Sequence, residues 1–91
     1  MTLPVKFTPA GADDFDFWKR ADKNILEKIK ELLRDARERP YTGIGKPEPL
    51  RHDLAGCWSR RITQEHRLVY SVKNDVLIVH SCRFHYGKRK K

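Results

Sequence analysis

Ninety-one residues, 38% hydrophobic and 35% charged, suffice for one small core and no more. No apolar run approaches the roughly 20 residues that cross a bilayer. Met1–Lys6 lacks a charged lead followed by an apolar stretch, so neither a membrane span nor a signal peptide is expected, and the expected location is cytoplasmic. The formal charge of +8 is unevenly placed: residues 1–40 carry nine Lys/Arg against eight Asp/Glu, residues 41–91 eleven against four. All four histidines, His52, His66, His80 and His85, also fall in the second part. A near-neutral scaffold thus precedes a surface suited to a polyanion.

Leu3–Thr8 reads as a short strand, with Val5 and Phe7 alternating with polar neighbours. Thr8-Pro9 then signals a helix start, since Thr caps and Pro suits the first helical position. Ala12, Phe15 and Trp18 follow at helical spacing. A second helix begins near Asp22, and Ile25, Leu26, Ile29, Leu32, Leu33 and Ala36 form one apolar stripe. Glu27, Glu31 and Asp35 alternate with Lys28, Lys30 and Arg34 on what reads as a solvated face. Pro40 ends the helix. Tyr41–Leu50, with Gly43, Gly45, Pro47 and Pro49, reads as a stiff loop.

Three strands complete the chain: Cys57–Thr63, His66–Val72 and Asp75–Phe84, joined through Gln64-Glu65 and a turn at Lys73-Asn74. Such short connections predict an antiparallel meander. The expected class is therefore α+β: an N-terminal strand and two helices packed on one face of an antiparallel meander of three strands. Residues 1–86 are expected to form a single domain, followed by a basic tail at 87–91. Cys57 and Cys82 stand 25 positions apart without metal-ligand spacing and read as small, half-buried strand residues.

Chemistry is concentrated in the basic part. Arg60, Arg61, Arg67 and Arg83 lie on strands, and Arg61 and Arg67 flank the first hairpin turn. Two cations so placed repel each other unless an anion sits between them, and guanidinium forks suit phosphate. Pairing with Glu65 or Asp53 is the structural alternative, but four acids cannot neutralise eleven bases. At the end of the last strand, Cys82-Arg83-Phe84-His85-Tyr86 puts a histidine among aromatics and close to strand arginines. Proton transfer and an ordinary surface position carry equal weight for His85. Glu48 is clamped between Pro47 and Pro49, with Lys46 and Arg51 alongside to keep it ionised. On spacing alone it reads as a loop acid. Together these groups supply the parts for RNA transesterification: a base for the 2′-hydroxyl, cations for the phosphate, and an acid for the leaving oxygen. No Asp/Glu cluster of a two-metal nuclease is visible, so neither a metal nor another cofactor is expected.

The stretches Gly45-Lys46-Pro47-Glu48-Pro49-Leu50, Trp58-Ser59-Arg60-Arg61-Ile62-Thr63, Glu65-His66-Arg67-Leu68-Val69-Tyr70 and Cys82-Arg83-Phe84-His85-Tyr86 resemble, in this order, the YoeB/Txe toxins of the RelE superfamily. The resemblance spans residues 3–86. It implies a RelE-like fold and a ribosome-dependent mRNA endonuclease acting, without a metal, on codons in the A site of a 70S-type ribosome. It further implies a YefM-type antitoxin partner and a homodimer. By position Glu48 matches the general base, His85 the general acid, Arg67 the phosphate-stabilising arginine, Arg61 a supporting one and Tyr86 a residue that orients substrate. Lys46 and Arg51 match positions expected to contact RNA or ribosome, as Arg60 and Arg83 are also expected to do. Three departures stand out: Cys57 where an aromatic is usual, Phe84 where tyrosine is usual, and the tail Gly87–Lys91. Two rival readings are a non-catalytic RNA- or ribosome-binding module and an interaction protein whose basic face receives an acidic partner. Glu48 separates enzyme from binder, because a pure RNA binder gains nothing from a carboxylate inside its cationic surface.

Overall fold

The structure, a computed structural model, describes residues 2–84. Strand β1 (Val5–Phe7) leads directly into helix α1 (Pro9–Ala21), and helix α2 (Lys23–Glu38) follows. After a long loop come β2 (Glu48–Pro49), a 3-10 turn at His52–Leu54, and the strands β3 (Trp58–Arg61), β4 (Arg67–Lys73) and β5 (Val76–Ser81). The strands form one sheet of order β1-β5-β4-β3-β2. β3, β4 and β5 make the expected antiparallel meander, while β1 joins the edge of β5 in parallel.

Local chemistry explains the helix boundaries. Thr8 Oγ1 accepts from the Gly11 N–H at 3.0 Å, and Pro9 takes the first turn, where a missing N–H costs nothing. Asp22 ends one helix and starts the next: its N–H donates to the Trp18 carbonyl, and its Oδ1 accepts from Asn24 and Ile25. Its extended backbone (φ −160°) turns the chain between them. The α2 stripe of Leu26, Ile29, Leu32, Leu33 and Ala36 is buried as its period predicts. It packs with Trp18 against Ile62, Leu68, Tyr70, Leu77 and Val79. Helix α1 lies unusually close to β5, because a Cβ at Gly11 would stand 2.4 Å from the Val79 carbonyl oxygen.

Four expectations need correction. Glu48–Pro49 is a strand rather than loop, pairing with Trp58-Ser59 at the sheet edge, where proline is tolerated. The second hairpin turns one residue later than expected: Lys73 pairs with Val76, and Asn74 and Asp75 both take positive φ (53° and 62°). Asp35 leaves the solvated face of α2, since its side chain is 8% exposed and bonded inward. Cys82 is fully buried rather than half-buried, and Cys57 is half-buried. His85, Tyr86 and the 87–91 tail lie outside the described residues. Within residues 2–84 no helix is long and apolar enough to cross a membrane.

Candidate functional site

Alternation along β3 and β4 sorts the strand arginines. Trp58 and Arg60 share a face with Leu68 and Tyr70, towards the helices. Ser59 and Arg61 share the opposite face with Arg67 and Val69. Arg61 and Arg67 are direct cross-strand partners, as their places beside the turn suggested. Arg61 is exposed and Arg67 half-buried. Among the described residues no carboxylate lies within ion-pair distance of either, so two like charges stand opposed without compensation. The alternative of pairing with Glu65 or Asp53 is thereby removed. Arg67 is fixed at its base: its backbone N–H donates to the Phe84 carbonyl, and Nη1 donates to the carbonyls of Thr63, Gln64 and His66.

Glu48 reaches the same face. It is the cross-strand partner of Ser59, and directly opposed residues project to the same side, so its exposed carboxylate stands on the sheet face of Arg61 and Arg67. Beside it, Glu48–Leu54 line an open depression of about 590 Å³ that includes Arg51, His52 and Asp53. Lys46 is exposed in the approach to β2, and Arg51 is exposed just beyond it.

Arg60 does not belong to this surface. Expected among the RNA contacts, it is instead 0% exposed, because its register position turns it under the sheet. Its Nε donates to Tyr70 Oη (2.9 Å), and Nη1 to Asp35 Oδ2 (2.7 Å) and the Ile44 carbonyl (3.0 Å). Nη2 donates to the carbonyls of Arg39 (2.6 Å) and Thr42 (2.7 Å). Every donor direction of the fork is therefore used. Tyr70 Oη in turn donates to the Pro40 carbonyl, and Asp35 accepts from the Ile44 N–H and pairs with Arg39. Burial alone would raise the Asp35 pKa, but the bonds from Arg60 and Ile44 and the charges of Arg39 and Arg60 outweigh it and hold the carboxyl below its ordinary value. The result is a strap on loop 39–45, whose Gly45 carbonyl accepts from the Arg61 N–H at 2.8 Å. Arg60 thus acts on the site through the backbone leading to Lys46 and Glu48.

Arg83 is also occupied. Its guanidinium lies 3.6 Å over the Phe17 ring of α1 and 4.8 Å from that of Phe84. His80 bonds Ser71 Oγ through Nε2 at 2.8 Å, and its burial lowers its pKa, as suits a neutral structural imidazole. Burial likewise raises the Cys57 thiol pKa, which disfavours a reactive thiolate. Among the described residues no group of three or more His, Cys, Asp or Glu is placed to hold a metal ion. The buried roles of Asp35 and Arg60 had one legible trace: the period of two in Trp58-Ser59-Arg60-Arg61 separates the two arginines onto opposite faces.

Comparison with known proteins fits this geometry. Residues 7–86 match the model of the YoeB-like toxins of bacterial type II toxin–antitoxin systems. Toxin YoeB of Escherichia coli K12 is 57% identical over 74 residues, which cover 81% of this chain and 88% of that protein. The structure of a YoeB/ParE toxin from Agrobacterium tumefaciens superposes with a TM-score of 0.90 at 50% identity, covering 92% of this chain and all of that one. Two Staphylococcus aureus structures, a YoeB–YefM complex (TM-score 0.85, 39% identity) and a YoeB dimer (0.86, 40%), each cover 94% of this chain and the whole of theirs.

Proposed function

The chain belongs to the YoeB-like toxins of bacterial type II toxin–antitoxin systems, and from that premise we propose that it is a ribosome-dependent mRNA endonuclease cutting A-site codons by transesterification. The observation that carries the reading is the placement of Glu48 on the sheet face of the Arg61–Arg67 pair. A binding surface has no use for that carboxylate. A nuclease has.

In the proposed reaction Glu48 takes the proton of the 2′-hydroxyl, and the freed oxygen attacks the adjacent phosphorus. Arg67, with Arg61 beside it, stabilises the charge that builds on the equatorial oxygens. His85, one residue beyond the described chain, protonates the departing 5′-oxygen, and Tyr86 orients the substrate. The products are a 2′,3′-cyclic phosphate and a 5′-hydroxyl. Side chains do the whole reaction. Each proton-transfer partner contributes about 10²–10⁴ in rate, and a preorganised cation about 10²–10³. Lys46 and Arg51 extend the cationic rim towards RNA and ribosome. The S. aureus YoeB–YefM complex supports a YefM-type antitoxin partner, whose acidic tail these arginines suit, and the S. aureus dimer supports a homodimer here.

The test is the chemistry of the cut ends. Messenger RNA on ribosomes, treated with the protein, should yield 5′-hydroxyl and cyclic or 3′-phosphate termini. Termini with 5′-phosphate and 3′-hydroxyl would contradict this mechanism, and intact mRNA would favour the binding module.

A further inference from the structure

Two elements grip the last described residues. On the buried side of α1, Asp14 and Trp18 stand one turn apart and hold Cys82 by both of its backbone groups. The Cys82 N–H donates to Asp14 Oδ2 at 2.9 Å, and its carbonyl accepts from Trp18 Nε1 at 2.8 Å. Two residues further on, the Phe84 N–H donates to His66 Nδ1 at 2.7 Å, and the Phe84 carbonyl accepts from the Arg67 N–H at 3.1 Å. Both backbone groups of Phe84 are thus committed to consecutive residues, His66 just before β4 and Arg67 at its start. Phe84 itself has φ 63°, a left-handed conformation that a non-glycine residue keeps only where its surroundings impose it.

The imidazole is well held. Its ring meets Trp18 edge-on with centroids 4.8 Å apart and lies 5.6 Å from the Phe84 ring. Because Nδ1 accepts from a backbone N–H, the ring is neutral with its proton on Nε2, which is 4.0 Å from a Glu65 carboxylate oxygen. Among the described residues no other side chain accepts from the Phe84 N–H.

We propose that His66 is a positioning residue: its Nδ1 anchors the Phe84 N–H and so sets the direction in which the chain delivers its next residue, His85, relative to Arg67. The inference rests on the reading of His85 as the general acid. His66 Nδ1 takes no proton from substrate, since its lone pair is spent on the backbone. An acid displaced by about an ångström from its leaving group costs on the order of 10²-fold in rate, which is why such an anchor matters.

The first measurement needs no activity. In the full-length, ¹⁵N-labelled protein, nitrogen–nitrogen coupling across the hydrogen bond should connect Phe84 N to His66 Nδ1, with the ring proton on Nε2. A proton on Nδ1, or no coupling, overturns the proposal. The second compares two variants that both lose the ring: His66→Asn places an oxygen where Nδ1 stands, and His66→Leu places no acceptor there. With mRNA-programmed ribosomes as substrate, His66→Asn should keep kcat close to that of the unaltered protein. His66→Leu should lose about 10²-fold in kcat at unchanged KM. Equal rates in both variants, or an undiminished His66→Leu, overturn it. If the unaltered protein leaves mRNA intact, the nuclease reading fails instead, and the coupling alone decides whether His66 anchors Phe84. The same coupling decides if His66→Leu does not fold.

Discussion

Arg60 and Arg61 are neighbours on β3 and point to opposite faces of the sheet, one without any solvent exposure and the other exposed beside Arg67. Identical side chains at adjacent positions therefore have unrelated tasks. Arg60→Lys should destabilise the protein strongly, because one ammonium cannot serve Tyr70, Asp35 and three carbonyls at once. Arg61→Ala should leave the thermal midpoint unchanged and lower cleavage by about 10²–10³. Thermal denaturation together with a cleavage assay separates the two.

The partner of Arg60 gives a pH dependence. Asp35→Asn leaves a buried guanidinium without its counter-charge and should cost about 3–5 kcal/mol, read from urea unfolding. The folded Asp35 carboxyl is held below its ordinary value, so its contribution is full above the unfolded value near 4 and is lost as pH falls through the lower folded value. Unfolding curves of the unaltered protein and Asp35→Asn should converge at acid pH. A gap that persists undiminished below pH 3 would show that the ion pair is not its source.

At the proposed centre, Glu48→Gln and His85→Gln should each reduce kcat by at least about 10²-fold. Glu48 is exposed at a sheet edge, so its substitution should leave stability untouched. Arg67→Ala should abolish toxicity but also cost about 1 kcal/mol or more, because Nη1 serves three carbonyls of the hairpin turn. Growth after induction, with a melting curve for each variant, reads both effects. Full toxicity in any one of the three removes that residue from the mechanism.

Gly11→Ala tests how closely α1 sits on β5. Alanine is the better helix former by about 1 kcal/mol, yet here its methyl would stand 2.4 Å from the Val79 carbonyl oxygen. The helix must back away, with a net loss of about 1–3 kcal/mol. A more stable Gly11→Ala would mean that the contact is looser than described.

Asp75→Gly should act in the opposite direction. Asn74 and Asp75 make a two-residue turn with positive φ at both positions, the type that favours Asn-Gly. Glycine relieves the left-handed cost at Asp75, and a gain of up to about 1 kcal/mol is expected by denaturant unfolding.

Features written in local chemistry were legible from the residues alone. Thr8-Pro9 and Asp22 set the helix starts because capping is decided within three residues, and the α2 stripe set the buried face because a helix repeats every 3.6 residues. The meander and the meeting of Arg61 with Arg67 followed from short connections. What needed the folded chain was every relation between segments distant in sequence. Glu48–Pro49 becomes a strand only because β3 offers it a free edge, for two residues cannot specify a strand by period. Asp35 belongs to the charged series on α2 until loop 39–45 and Arg60 close over it, 25 positions away. His66 gained its partners, Trp18 and Phe84, from α1 and the segment that follows β5. Sequence determined which groups were available, since composition and spacing are local. Which of them face the same solvent was decided by the register of β2, β3 and β4, because a shift of one residue would exchange Arg60 for Arg61 on the open face.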